Sequence, residues 1–220
     1  KQLGNPNRDL MPLALQSHDA YVGDRLINQF GVNDPADYKL SAAISILASS
    51  TPFAYYGEEI GMSNGGVFND PGIRSPMSWT GYPRTAGFTA GTPYRGVAIN
   101  VASQNVAIEA GDPDSLLEYY RALYTLRRDH PVFGTGEMTV QSQTGDPALV
   151  FTRSGRDDEA AVFINLSDTS QSLNATVREG RFVQSLHWAG EAPATAVASD
   201  GGKLKIVVPA KTTLVFMRAR

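Results

Sequence analysis

The sequence predicts an α/β region over residues 1–131 followed by an all-β antiparallel region over residues 132–220. Three observations support this division. Short apolar runs alternate with amphipathic helical segments in the first region, and polar or charged residues follow each apolar run. After Pro131 the pattern changes to short alternating runs separated by Gly, Asp and Pro. Strand and helix in alternation are typical of α/β folds, whereas consecutive short strands are typical of β domains.

The composition excludes several function classes. The chain has 220 residues, 42% of them hydrophobic, a formal net charge of −3 and no Cys. The scattered charges do not form the basic patch that nucleic acid or an anionic membrane requires, so a neutral ligand fits better. The longest apolar stretch, Ala42–Ala48, is too short to span a bilayer. We therefore expect no nucleic-acid partner, no membrane and no disulfide.

The first strand–helix unit begins with the apolar residues 10–15, which end in the polar residues 16–19. A short buried strand ends in this way when it delivers polar side chains to its C-terminal end. Pro35 then follows a capping Asn-Asp pair, and the pattern predicts a helix from there to about Ser49. The helix has one apolar face, formed by Leu40, Ala43, Ile44 and Leu47.

The second unit has the same order of elements but a much longer connection. Residues 51–56 predict a second short strand, which the Gly-Glu-Glu at 57–59 closes. The segment 60–111 is rich in Gly, Pro, Asn and Thr, and is too long for a simple connection, so it predicts a functional loop. Asp112 and Pro113 repeat the capping signal and open a predicted helix that runs to about Asp129, where His130 and Pro131 stop it.

The region after residue 131 predicts a sandwich of antiparallel strands. Its strands are expected at 149–152, 160–165, 172–177, 181–187, 204–208 and 213–217. The two preceding strand–helix units, with polar residues at the strand ends, are typical of the last quarter of a (β/α)8 barrel. The predicted architecture is therefore the C-terminal portion of such a barrel, with its last two strands and helices, followed by a β-sandwich.

The most specific candidate site is the pair His18 and Asp19, directly after the first predicted strand. A barrel builds its active site at this position, although an Asp after a strand also caps turns. Arg25 follows six residues later and is suited either to holding a carboxylate ionised or to an ordinary salt bridge. Glu58 or Glu59 is expected to support the barrel or an ionic network.

Aromatic residues in the long loop form a second candidate group. Trp79, Tyr82, Phe88 and Tyr94 stand among Gly and Pro, where aromatic faces either stack on sugar rings or pack the loop onto its own domain. His130 and His187 have no neighbours at metal-ligand spacing. We therefore predict no metal site and no cofactor in this chain.

The order of several motifs along the chain resembles one known family. The motifs are Ser-His-Asp at 17–19 with Arg25, and the segments 28–31, 34–38, 51–62, 74–79, 87–94, 100–104 and 112–117. Together they resemble the α-amylase family, glycoside hydrolase family 13, and most closely its oligo-1,6-glucosidase-like and neighbouring α-amylase branches. The resemblance is dense over residues 10–133, and the remainder fits the β domain that follows the barrel in this family.

The resemblance implies a role for each candidate residue. Asp19 corresponds to the third catalytic carboxylate, which stabilises the transition state, and His18 binds the same sugar. Arg25 is expected to orient the carboxylate cluster and to contact substrate, and Trp79 to form a wall of a sugar subsite. The retaining reaction also needs a nucleophile and an acid/base carboxylate about 5 Å apart. In the family these two come from earlier strands, which this chain does not contain.

The resemblance therefore implies the C-terminal part of a longer α-glucan hydrolase, for which Lys1 is not the natural start. The expected partners are an α-glucan or maltooligosaccharide substrate and the N-terminal part of the same enzyme, without which the chain is inactive. Calcium in the parent stays open, and a periplasmic or extracellular location is expected from the substrate.

Departures from the family pattern leave alternatives open. Ser17 replaces the usual Asn, residues 20–23 lengthen the step to Arg25, and Ser78 replaces the usual Gln. Subsite geometry and chain-length preference are therefore expected to differ from those of a typical member. One alternative is a transglycosylase or isomerase on the same scaffold. Another is a non-catalytic relative that binds glucan or a protein partner.

Overall fold

The computed structural model describes residues 12–19, 24–30, 35–186 and 196–219. Their contacts group them into two compact units. The loop unit comprises residues 14–39 and 53–121, and the sheet unit comprises the remaining described residues. The division at 131 and 132 that the sequence predicts stays a prediction. No helix in these ranges is long and apolar enough to cross a membrane.

Two very short strands and two long helices make up the predicted strand–helix units. Strand β1 spans Leu13–Ala14 and pairs with strand β2, which spans Pro52–Phe53. Helix α2 spans Pro35–Ala48, within a residue of its predicted bounds. Helix α5 spans Leu116–Asp129 and begins about three residues later than the signal at Asp112 and Pro113 predicts, because those residues form a turn in which the Ser115 amide donates to the Asp112 carbonyl. Both strands are shorter than predicted, and residues 10 and 11 of the first lie outside the described residues.

The second strand is shorter than predicted because the backbone turns soon after Phe53. The Glu58 amide donates to the Tyr55 carbonyl at 3.0 Å, and Gly57 has a φ of +80°, which lies in the left-handed region that glycine adopts readily. A one-turn 3₁₀ helix follows at Glu58–Ile60. The apolar run therefore ends in a turn that points successive side chains in different directions.

The long loop predicted over 60–111 contains only short helices and is fastened by side chains. Helix α1 (Leu26–Phe30) precedes it, and α3 (Asp70–Ile73) and α4 (Val106–Glu109) lie within it. The Asn100 side chain accepts from the Ser63 amide and donates to the Gly61 carbonyl, each at 2.9 Å. Such bonds replace the backbone pairing that regular structure supplies elsewhere.

The sheet unit contains a six-stranded antiparallel sheet and a separate strand pair. After helix α6 (Val132–Thr135), the strands are β3 Glu137–Val140, β4 Ala148–Ser154, β5 Glu159–Asn165, β6 Gln171–Thr176, β7 Arg181–Gln184, β8 Ala196–Ala198, β9 Lys203–Val208 and β10 Thr213–Arg218. The order in the large sheet is β3-β4-β5-β10-β7-β8, and β6 pairs with β9. The predicted antiparallel β region is therefore present.

One hydrophobic core is shared by the two sheets. It combines residues of β4, β5, β7 and β10 with residues of β6 and β9, namely Val150, Ala161, Phe163, Ala175, Phe182, Leu204, Ile206, Val208 and Phe216 among others. The rings of Phe163 and Phe216 meet edge to face with their centroids 6.1 Å apart. Every second side chain of the facing strands thus points inward and fills the space between the sheets.

Two strands in this unit were not predicted from the sequence. β3 carries Glu137 and Thr139 and lies at one edge of the sheet, where it is mostly exposed, and β8 is only three residues long at the other edge. Edge strands carry polar residues and lack a continuous apolar pattern, so their sequence signal is weak. Residue 187, at the end of one predicted strand, lies outside the described residues.

Candidate active site

His18 and Asp19 lie together directly after β1. The His18 Nε2 is 3.3 Å from the Asp19 Oδ1, and the Asp19 amide donates to the Ser17 hydroxyl at 3.1 Å. Both side chains are about half exposed. The Tyr55 ring, which follows β2, has its centroid 6.5 Å from that of His18. The two short strands therefore deliver a carboxylate, an imidazole and a phenol ring to one place.

Arg74 is the charged partner of Asp19. Its Nη2 donates to the Asp19 Oδ1 at 2.7 Å and to the Asp70 Oδ2 at 2.7 Å, and its Nε donates to the His18 carbonyl at 2.8 Å. One guanidinium thus fixes both the carboxylate and the backbone of the His18–Asp19 pair. A guanidinium at this distance forms a charge-assisted hydrogen bond with the carboxylate.

Sequence reasoning assigned the orienting role to Arg25 and missed Arg74. The separation in sequence between Asp19 and Arg74 hides their contact, since no local spacing rule joins residues so far apart. A signal was present, because Arg74 opens the motif at 74–79 that resembles the family. The charged residue of this motif was therefore a candidate partner for the Asp19 carboxylate.

Arg25 is completely buried and bonds to carbonyl oxygens. Its Nε and Nη2 donate to the Ile73 carbonyl at 3.1 and 2.7 Å, and its Nη1 donates to the Tyr56 carbonyl. The guanidinium also lies 4.5 Å from the ring centroid of Tyr55 and 4.6 Å from that of Tyr56. Burial lowers the pKa of Arg25. In this geometry Arg25 fixes the two segments that carry Tyr56 and Arg74.

A cavity of about 530 Å³ opens beside this cluster. It is lined by Tyr56, Glu59, Arg74, Ser75, Pro76, Met77, Trp79, Phe88, Pro93, Tyr94 and Arg95. Trp79, predicted from the sequence as a wall of a sugar subsite, lies in this lining with about half of its surface exposed. An apolar wall with a few polar groups is typical of a small-molecule site, and a cavity of this size holds one.

The mouth of this cavity is aromatic and spacious. Tyr94 is 96% exposed, and the Arg95 guanidinium lies 5.4 Å from its ring centroid. Gly91 and Gly96 flank this pair, and no atom lies within 4 Å of the place where a Cβ would stand on either of them. Large exposed aromatic groups mark binding surfaces more often than packing surfaces. The loop aromatics are therefore available to a ligand.

The consecutive residues Glu58 and Glu59 have separate environments. Burial raises the pKa of both carboxyl groups. Glu58 is buried, where its Oε1 accepts from the Tyr120 hydroxyl at 2.8 Å and its carbonyl accepts from the Tyr38 hydroxyl at 2.7 Å. Glu59 instead lines the cavity, where the positive charge of Arg25 partly opposes the effect of burial on its pKa. Glu58 is therefore structural, whereas Glu59 faces the ligand space.

Three comparisons with known proteins agree with this geometry. The catalytic-domain model of the α-amylase family matches residues 2–136. A trehalose synthase of Pimelobacter is 31% identical over 163 residues, which cover 68% of this chain and 28% of that protein. An oligo-1,6-glucosidase of Heyndrickxia coagulans is 27% identical over 200 residues, which cover 74% of this chain and 35% of that protein.

The fold is shared with a solved structure. The trehalulose synthase MutB of Pseudomonas mesoacidophila superposes with a TM-score of 0.71 at 22% identity, covering 94% of this chain and 42% of that one. The chain thus spans less than half the length of the proteins it matches. The family match covers more than half of this chain, and its motifs surround the cavity and the His18–Asp19 pair. The chain belongs to the α-amylase family, glycoside hydrolase family 13.

Proposed function

We propose that this chain supplies the last two strand–helix units of a (β/α)8 barrel, and a C-terminal β-sandwich, to a retaining enzyme that acts on α-glucosidic bonds. The contact of Arg74 with Asp19 and His18 carries the proposal, because it presents a carboxylate and an imidazole together beside an aromatic cavity. The short exposed strands support it, since a two-stranded sheet is marginal by itself and gains stability from further strands.

Each site residue has a chemical task in this proposal. Asp19 stabilises the positive charge that develops on the sugar in the transition state, and His18 donates a hydrogen bond to the same sugar. Arg74 holds the Asp19 carboxylate in position through its hydrogen bond, and Trp79 stacks on a neighbouring ring. The nucleophile and the acid/base carboxylate belong to the part of the enzyme that precedes this chain, so the chain alone is inactive.

Hydrolysis is the first reaction proposed, and isomerisation of a disaccharide is the second. The names of the relatives support both, since oligo-1,6-glucosidases hydrolyse and trehalose synthases rearrange. The two reactions share a glycosyl-enzyme and differ in whether water or a retained sugar attacks it. The apolar wall of the 530 Å³ cavity favours retention of a sugar, because it leaves few groups that hold an attacking water.

Product analysis with the chain in its longer natural protein tests both steps. We expect release of glucose from maltose or isomaltose, or an isomeric disaccharide in its place, and a loss of about 10²–10³-fold in kcat on Asp19→Asn. Asp70→Asn is the matched control, because it changes the other carboxylate that Arg74 contacts, and we expect less than about a tenfold loss.

Two results contradict the proposal. Activity of Asp19→Asn within tenfold of the unchanged protein removes the role of Asp19 as the transition-state stabiliser. Activity of the isolated 220-residue chain means that the catalytic carboxylates lie within it, which overturns their assignment to the preceding part. Release of glucose alone indicates hydrolysis, and formation of an isomeric disaccharide alone indicates isomerisation.

A further inference from the structure

The chain contains one Asn-Gly dipeptide, at residues 64 and 65. In such a pair the backbone nitrogen of the glycine attacks the side-chain amide of the asparagine, because glycine has no side chain that obstructs the approach. Ammonia leaves, a cyclic imide forms, and water opens the imide to aspartate or isoaspartate. Each of the other asparagines precedes a larger residue and reacts more slowly. Asn64 is therefore the asparagine that the sequence marks for deamidation.

The Asn64 side chain joins two segments of the loop unit. Its Nδ2 donates to the Asp24 Oδ1 at 2.8 Å, and its Oδ1 accepts from the Arg25 amide at 3.2 Å. The Asn64 backbone amide donates to the Asn28 Oδ1 at 3.0 Å. Asn64 thus fastens the segment that carries Arg25 to the start of the long loop, and it does so with the amide group that deamidation would change.

Gly65 lies in a narrow space. Its amide donates to the Gly72 carbonyl at 2.8 Å, and it pairs with Ala98 in an isolated antiparallel bridge. A Cβ on Gly65 would lie 2.3 Å from the Ser75 Oγ and 3.1 Å from the Gly96 carbonyl oxygen. The packing therefore requires glycine at this position, and this requirement keeps the reactive dipeptide in the chain.

The folded loop suppresses the reaction. The attacking nitrogen of Gly65 donates to the Gly72 carbonyl, and the amide group under attack is held by Asp24 and Arg25. Formation of the imide requires release of these partners and rotation of the Asn64 side chain toward Gly65. Both conditions are met when the loop opens locally, so the reaction rate follows the population of the open loop.

We propose that Asn64 is a deamidation site at which a local opening of the loop becomes irreversible. The Gly65 nitrogen bonds to the Asn64 Cγ, the bond from Cγ to Nδ2 breaks, and the Gly65 amide proton leaves with Nδ2 as ammonia. Water then supplies a hydroxyl to one imide carbonyl and a proton to the ring nitrogen, whose bond to that carbonyl breaks. This inference goes beyond the proposed function and does not depend on it.

Either product disrupts the contacts of Asn64. Aspartate places a carboxylate oxygen where Nδ2 stands, 2.8 Å from the Asp24 carboxylate, so that repulsion between like charges replaces a hydrogen bond. Isoaspartate lengthens the backbone next to Gly65, where the Ser75 Oγ leaves no room for an added carbon. Ser75 adjoins Arg74, so a loss of order here also reaches the proposed active site.

The first test measures the rate of deamidation by peptide mapping of the longer natural protein, incubated at mildly alkaline pH. We expect Asn64 to react at least about tenfold more slowly in the folded protein than in urea, because the attack requires an opening of the loop. Asp24→Ala releases the Asn64 amide and should raise the rate in the folded protein by about three- to tenfold. Asp157→Ala, at an exposed carboxylate of the sheet unit, is the control and should leave the rate unchanged.

The second test introduces the charge of the product directly. Asn64→Asp should speed amide hydrogen exchange over residues 64–75 by about tenfold. Asp24→Asn in the same protein should restore the slow exchange, because the amide donor and the carboxylate then exchange places.

Four results overturn the proposal. They are an absence of reaction at Asn64 in urea, equal rates in the folded and unfolded protein, an unchanged rate in Asp24→Ala, and exchange in Asn64→Asp that is unaltered or is not restored by Asp24→Asn. None of these measurements uses enzymatic activity, so their failure leaves the proposed function standing.

Discussion

Side chains hold the loop unit together, whereas backbone ladders hold the strands of the sheet unit together, and in the sheet unit side-chain anchors such as Arg127 and Arg153 fasten the segment 46–50. In the loop unit, Arg25 and Asn100 bond to carbonyls and amides far away in sequence, and the helices that lie entirely within this unit are one turn long or little more. In the sheet unit, β4 and β5 pair along seven residues and enclose the core around Phe163. The sheet unit is therefore stabilised by many contacts along its strands, whereas the loop unit depends on a few side-chain hydrogen bonds.

This difference bears on the kind of ligand space that each unit offers. A loop fastened at a few points keeps open space between its anchors, and the 530 Å³ cavity of the proposed site, with its largely apolar wall, lies in the loop unit. The sheet unit has a cavity of about 520 Å³, but it is lined mainly by polar side chains such as Thr139, Gln141 and Arg178, while the core between the sheets is closely packed. Single substitutions should therefore act locally in the loop unit and cooperatively in the sheet unit.

The largest expected effect is that of Phe163→Ala in the sheet core. Removal of a completely buried ring that meets Phe216 edge to face should lower the free energy of unfolding by about 3–5 kcal/mol. Denaturant unfolding, followed by far-ultraviolet circular dichroism, measures it. Val207→Ala, at a mostly exposed position of β9, is the control and should change little. A loss below 1 kcal/mol for Phe163→Ala contradicts the shared core.

Arg25→Met should have the next largest effect, and a local one. It removes the guanidinium donors and leaves the buried carbonyls of Ile73 and Tyr56 unsatisfied, which costs about 2–4 kcal/mol. Amide hydrogen exchange should show loss of protection over residues 56–75, with unchanged protection in β4 and β5. Equal loss in both regions would mean that the comparison between the units is wrong. Arg84→Met, at an exposed position, is the matched control.

Asn100→Ala should weaken the same loop by a smaller amount. The variant removes an acceptor for the Ser63 amide and a donor for the Gly61 carbonyl. This loss should lower the free energy of unfolding by about 1–3 kcal/mol. We expect faster proteolytic cleavage between residues 61 and 100, measured by mass spectrometry of the fragments. Asn174→Ala, at an exposed position of β6, is the control. Unchanged cleavage would show that Asn100 does not fasten the loop.

The smallest effect is a dependence of stability on pH. Burial raises the pKa of Glu109 from 4.5 to about 7, with Glu59 and Asp112 adding to the rise and the Leu117 amide and Lys39 opposing it. Because the pKa is higher in the folded chain, the contribution of Glu109 is complete below about pH 4.5 and is lost as the pH rises through 7. The melting temperature should fall between pH 5 and pH 8.

Glu109→Gln tests this pH dependence directly. The amide keeps an oxygen for the Leu117 amide at the start of α5 and does not titrate. We expect the melting temperature of the variant to fall less between pH 5 and pH 8 than that of the unchanged chain. Asp112→Asn removes only a minor contribution to the raised pKa of Glu109, so this variant should keep most of the original slope. The same slope in all three proteins would refute the role of Glu109.

Sequence patterns predicted the regular elements and missed what long-range contacts decide. Both bounds of helix α2 were predicted within a residue because an apolar face and a Pro at the first turn are local signals, whereas Pro113 lies in a turn before α5 and placed its start too early. The second strand was overextended because its pairing ends at Phe53, before the turn at Gly57 that the sequence does mark. The position of Asp19 was predicted from its place after a strand, but its contact with Arg74 is tertiary and has no local signature.

Gly96 and Gly57 represent opposite extremes of tolerance to substitution within the loop unit. A side chain added at Gly96, which follows Arg95 of the 530 Å³ cavity, meets no atom within 4 Å, whereas one added at Gly57 would meet the Met62 side chain at 2.7 Å. Substitutions at Gly96 can therefore alter which ligands the cavity admits without unfolding the chain. Divergence in ligand preference is expected to begin at such tolerant positions, whereas substitutions at Gly57 are expected to be rejected.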